Sequence, residues 1–160
     1  MDKENWPLLY NCFVDDTLSN FESEEQSVGF FGVLNGLHPA LKFTVEKESG
    51  GELPFMDVLL KRKGNEFLRS VYRKPTFTGL YTRWDSYSPT GQNIGLIKAL
   101  TTRAIRICSK DTLPGELLTL KNILEDNGYP SHVVEQRSEY TVAAFMVHCG
   151  TLHQVKLRED

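Results

Sequence analysis

Apolar and polar positions alternate in short runs over the first half of the chain and recur at steps of three and four over the second. Leu8 to Val14 is a β-compatible run, Asp15 and Asp16 interrupt it, and Thr17 to Phe21 resumes it. That pattern predicts a β-hairpin with two aspartates at its tip. Ser23 then opens an acidic first turn, and Val28, Phe31, Val33, Leu34 and Leu37 recur at near-helical spacing until Pro39 stops them, which predicts a helix beside the hairpin. Leu41 to Glu46 and Leu53 to Arg62 predict two strands joined across Glu48-Ser49-Gly50-Gly51. Glu66 to Tyr72 predicts another across Lys63-Gly64-Asn65, ended by Lys74-Pro75. Residues 76–92 read as an ordered loop, rich in Thr, Ser, Gly and Pro and studded with Phe77, Tyr81, Trp84 and Tyr87. Ile97, Leu100, Ala104 and Ile107 predict a helix with Arg103, Arg106 and Lys110 on another face, and Leu117, Leu120 and Leu124 predict a second, closed by Asn127-Gly128 before Pro130. Tyr140 to His148 and Thr151 to Leu157 predict a final strand pair across Gly150. The fold class is α+β: a β-hairpin, a helix and an antiparallel β-meander, followed by helices joined by a short turn.

Composition narrows the picture. At 160 residues, 40% hydrophobic and 24% charged, the chain has the size and balance of one ordinary folded domain. Its longest apolar run, Val142 to Val147, is far short of the roughly 18 residues a membrane span needs, and Met1 to Glu4 opens with charge rather than an apolar signal core. The expectation is an intracellular protein, nuclear or cytoplasmic, with no membrane partner. Cys12, Cys108 and Cys149 make an odd number with no close pair, so reduced thiols are expected rather than a disulfide framework. The net charge of −3 hides an asymmetry. Residues 1–60 carry 3 basic and 11 acidic side chains, residues 61–110 carry 11 basic against Glu66 and Asp85, and the remainder carries 4 basic and 8 acidic. A central block of +9 in an acidic chain points to a polyanion-binding surface, or to a solvated face.

Two readings attach to each candidate group. Asp15 and Asp16, turned toward one another at a hairpin tip, would repel, and a hard divalent cation such as Mg2+ relieves that repulsion; aspartate also simply favours turns. Lys61-Arg62-Lys63 serves either phosphate contact or protection of a sheet edge against aggregation. Phe77, Tyr81 and Trp84 either stack on bases or, as preferred here, pin the loop to the core. His148, Cys149 and His153 lack the second cysteine pair a zinc site would show and read as a chance cluster.

Phe13-Val14-Asp15-Asp16 resembles the Tyr/Phe-x-Asp-Asp box of reverse transcriptases, and further boxes follow in the corresponding order. Leu34-Asn35-Gly36-Leu37-His38-Pro39, Lys42-Phe43-Thr44, Glu52 to Val58 and Val71-Tyr72-Arg73-Lys74-Pro75-Thr76 look like the palm of Penelope-like retroelement reverse transcriptases. Trp84-Asp85-Ser86, Arg103 to Ser109 and Asn127-Gly128-Tyr129-Pro130 look like the segment after it, which in that family includes a helix-turn-helix region. The resemblance covers about residues 8–135. It implies a partial polymerase palm over residues 1–75, a thumb-like helix-turn-helix region over 76–130 and a divergent tail over 131–160. It also implies RNA-directed DNA synthesis as the ancestral reaction. Asp15 and Asp16 would be the catalytic Mg2+ ligands, and Phe13, standing where Tyr is commoner, would sit near the primer end. Lys61, Arg62, Lys63, Arg73 and Lys74 would lie near the primer and template backbone, with Arg103, Arg106 and Lys110 as the helix-side contacts to RNA or DNA. The family draws a further aspartate from an upstream strand, and Met1 lies only fourteen positions before Asp15. The expectation is therefore an enzyme part, inactive alone and needing an upstream polymerase half. The alternatives are a non-catalytic nucleic-acid-binding helix-turn-helix module, or a protein-interaction remnant with an open sheet edge.

Overall fold

A computed structural model describes residues 6–64 and 66–151, the last four of these as backbone only. Among the described residues, two small antiparallel sheets and four helices give the expected α+β class, and the chain divides into two compact units, Met1–Met56 and Asp57–Asp160.

In the first unit, β1 (Leu9–Phe13) and β2 (Asp16–Asn20) pair antiparallel from Leu9 opposite Asn20 to Phe13 opposite Asp16. The connection is only Val14 and Asp15, and such a short link demands left-handed backbone, which Val14 supplies at φ 56°. A β-branched residue is strained there, because its Cβ crowds the backbone. Helix α1 (Glu24–Gly36) begins where the sequence places it: the Ser23 hydroxyl accepts the Gln26 N–H at 3.3 Å, satisfying one orphan donor of the first turn. Phe30 on α1 sits 5.9 Å from the Tyr10 ring, 5.6 Å from Phe21 and 6.5 Å from Trp6. The strand expected over Leu41 to Glu46 does not form. Those residues are in no ladder, and the Phe43 N–H instead donates to the Asn35 side chain at 2.8 Å. The turn at Gly50-Gly51 is present, followed by β3 (Glu52–Phe55). No described residue of this unit is buried.

The second unit starts with β4 (Val58–Lys63) and β5 (Glu66–Val71), antiparallel from Val58 opposite Val71 to Lys63 opposite Glu66. The single strand expected from Leu53 to Arg62 is therefore two, because Met56 takes φ 54° and breaks the run at Met56-Asp57. Three helices follow: α2 (Thr90–Ile107), α3 (Leu113–Asp126) and α4 (Ser131–Thr151). Ile97, Leu100 and Ala104 of α2 meet Leu120 and Leu124 of α3, Tyr129 of the connection and Val134 of α4 in one buried core. The strand expected over Tyr140 to His148 is a correction: those residues continue α4. Val134, Ser138 and Thr141 fall at helical steps toward α2, the Ser138 hydroxyl lies 3.3 Å from that of Thr101, and Thr141 donates back to the Arg137 carbonyl at 2.7 Å. Packing against α2 overrides the β propensity of Tyr, Thr and Val. Residues 152–157, the expected partner strand, lie outside the described residues.

Hydrogen bonds to the Arg69 backbone lock the hairpin to the helices. The Ser109 N–H donates to the Arg69 carbonyl and the Ser109 hydroxyl accepts from the Arg69 N–H, both at 2.9 Å, while the Thr112 hydroxyl donates to the same carbonyl.

Candidate nucleic-acid interface

The loop before α2 is part of the helical domain. Asn127, buried at the end of α3, accepts the Tyr81 N–H at 3.0 Å and donates to the carbonyls of Gly79 at 2.8 Å and Ile123 at 2.7 Å. The Asn127 carbonyl accepts from the Trp84 N–H, the Trp84 carbonyl accepts from the Asn93 amide, and the Tyr129 hydroxyl donates to the Thr82 carbonyl at 3.0 Å. Trp84 tilts against Tyr129 at 5.3 Å, and burial pushes the Tyr129 phenol up from its ordinary pKa. Tyr81 and Trp84 are thus loop anchors. Gly128, at φ 83°, turns the chain from α3 into α4.

The cations of the basic block differ in their contacts and in their exposure. Arg73 grips the buried carboxylate of Glu116 with both terminal nitrogens, at 2.8 and 2.5 Å, and stacks 5.6 Å over Phe77; the bond to Glu116 lifts its pKa further. Lys63 pairs with Asp111 at 3.2 Å and Arg103 with Asp57 at 3.0 Å. Arg62 lies 5.5 Å over the Phe67 ring, and Lys61, Arg62 and Lys74 are exposed. Arg106 and Lys110 are exposed too. So is Lys98, two helical turns before Arg106 on the same side of α2, a match in spacing that sequence reasoning passed over. Lys98, Arg103 and Arg106, with Gly95, Ala99, Thr102 and Ile107, line an open concavity of about 500 Å³ along α2.

At the other candidate centre, Asp15 occupies the hairpin turn and Asp16 opens β2 opposite Phe13, which is 58% exposed. Among the described residues no three His, Cys, Asp or Glu side chains gather to hold a metal ion. Two adjacent carboxylates alone do not fit a two-metal clamp, which needs further ligands to fix both ions. The side chains of His148 and Cys149, and all of His153, lie outside the described residues. No described helix is long and apolar enough to cross a membrane.

A helix pair meeting across a tight Asn127-Gly128-Tyr129-Pro130 turn, with a third helix closing the core, defines a helix-turn-helix class of domain. Residues 80–139 match the family model of the animal helix-turn-helix domain. The match opens in the anchored loop and ends inside α4, so it takes in the buried core and leaves residues 8–75 outside it. No curated protein and no solved structure matches the chain.

Proposed function

We propose that the chain works as a nucleic-acid-binding module, through its helix-turn-helix domain and the basic surface of the second unit. The observation that carries this reading is the coincidence of the helix-turn-helix match with α2, a helix that carries Lys98, Arg103 and Arg106 and no acidic residue. Contacts from Lys and Arg to phosphates release counterions whatever the base sequence, so binding should be weak and largely sequence-independent. If about four phosphates are neutralised, log affinity falls against log salt with a slope near −3.6. Anisotropy titration of a labelled duplex over a salt series tests this. Joint replacement of Lys61, Arg62 and Lys63, or of Arg103, Arg106 and Lys110, should flatten the slope wherever those groups meet phosphate. Salt-independent affinity, or affinity unchanged by both triple replacements in folded protein, leaves a solvated surface and favours a protein-interaction role.

A second reading, the C-terminal part of a reverse transcriptase palm and thumb, is favoured by the two-residue turn that carries Asp15 behind a strained Val14. On that reading Asp15 and Asp16 are Mg2+ ligands that an upstream half would complete, and the chain alone does not extend a primer on an RNA template. Extension abolished by Asp15→Asn would show that the chain is a polymerase by itself.

A further inference from the structure

We propose that the outward face of α2, rather than the helix after the Asn127-Gly128 turn, is the surface that lies along the phosphate backbone of a double-stranded nucleic acid. This rests on the nucleic-acid-binding reading and says which element performs it.

The two faces of α2 divide cleanly. Asn93, Ile97, Leu100, Thr101 and Ala104 are buried toward α3 and α4. Gly95, Lys98, Ala99, Thr102 and Arg106 fall on the opposite side, around the 500 Å³ concavity. Lys98 and Arg106 are exposed and have no ion-pair or hydrogen-bond partner among the described residues. Arg103 stands between them in sequence, tied to the exposed Asp57, and its Nε is buried without a hydrogen-bond partner. Two uncompensated cations beside a third that is only partly satisfied form a surface short of negative charge.

The shape agrees with the charge. Gly95 is a glycine in mid-helix, which costs about 1 kcal/mol relative to alanine. Nothing inside the protein accounts for it, since a Cβ added there would meet no atom within 4 Å. With Ala99 it leaves the floor of the concavity near the helix backbone, so a sugar-phosphate chain can approach closely while the cations reach it from either side. Lys98 and Arg106 are eight residues apart, about 12 Å along the axis. That is between three and four steps of duplex at about 3.4 Å per step on one strand. The start of α4 offers no such surface: it bears Glu135 and Glu139, and Glu135 is held by Lys121.

The test uses the full chain and a labelled mixed-sequence DNA duplex, read by anisotropy across a salt series. Lys98→Gln with Arg106→Gln should flatten the log affinity against log salt slope by about 1.8, the share of two phosphates. Gly95→Leu places a side chain in open space and favours the helix, so it should hold or raise the melting midpoint while weakening binding with the slope nearly unchanged. His132→Ala with Arg137→Gln on α4 should bind as wild type does. If the α2 replacements bind as wild type while the α4 pair flattens the slope, α4 is the contacting helix and the proposal is overturned, with the nucleic-acid reading intact. A folded wild type that does not bind duplex at low salt overturns that reading itself. Displacement of duplex by a weaker concentration of single strand of the same sequence overturns the duplex assignment.

Discussion

Glu116 is 8% exposed and receives both arms of the Arg73 guanidinium, so one ion pair fixes where the end of β5 meets α3. Removing one partner leaves the other charge desolvated and unpaired. Glu116→Ala should therefore cost about 3 kcal/mol, at the lower end for such pairs because Arg73 keeps some contact with water. Urea unfolding checks it, and a loss under about 1 kcal/mol would mean the pair is no better than a surface one. The sequence showed the charge of Arg73 but not its partner, 43 positions away. The same holds for Lys63 and Asp111. Cys108 sits beside this pair. Burial, and then the Glu116 carboxylate, raise its thiol above the ordinary 9.0. A group whose folded pKa is raised contributes stability that is complete below its unfolded pKa and is lost as pH rises through the folded value, so Cys108 should add to alkaline destabilisation above about pH 9. Cys108→Ala should shrink that loss. At neutral pH an alkylating reagent should modify exposed Cys12 quickly and Cys108 only through opening of the helical core, as peptide mass spectrometry would show.

Helices announced themselves where a start or stop residue coincided with apolar spacing. Ser23 and Pro39 frame α1, and Asn127-Gly128 ends α3, as the sequence predicted. Strand boundaries were harder to read, because a positive φ at Met56 breaks a continuous β-compatible run and nothing in a methionine signals it. The C-terminal half of α4 was misread for a different reason: Tyr140 to Val147 has no strong period of its own, and its helicity comes from the upstream turns packed on α2. Two glycines test this element-level account in opposite directions. Gly128→Ala forces a side chain into left-handed backbone with its Cβ 3.9 Å from that of Trp84, and should destabilise the domain by about 1 kcal/mol or more. Gly95→Ala should stabilise it by about 0.8 kcal/mol, since the helix gains propensity and nothing is displaced. Thermal midpoints moving the same way for both would refute the assignment of one glycine to a turn and the other to an open helix face.

Across the whole molecule, the opposite charges of residues 1–60 and 61–110 were visible in the sequence, while the division between Met56 and Asp57 was not, because it falls inside a run that reads as one strand. Among the described residues, the buried ones all belong to the second unit. In the first, Trp6, Leu9, Tyr10, Phe13 and Val28 stay between 45% and 58% exposed, β1 is exposed along its whole length, and among the described residues β2 alone pairs with it. A two-stranded hairpin with no buried face is marginal in water. Amide exchange should therefore be uneven. The amides of β1, β2 and α1 should exchange within minutes at neutral pH, while those of α2, α3 and the first half of α4 should be protected up to the free energy of global unfolding. A partner that adds a strand beside β1 binds only the folded hairpin, so by mass action it should slow exchange in β1 and β2 in proportion to its concentration. Co-expression with a candidate strand-donating partner, followed by exchange on the isolated complex, is the measurement. Equal protection across both units of the chain alone would mean that the first unit is stable without such a partner, and the expectation of strand addition beside β1 would fall with that result.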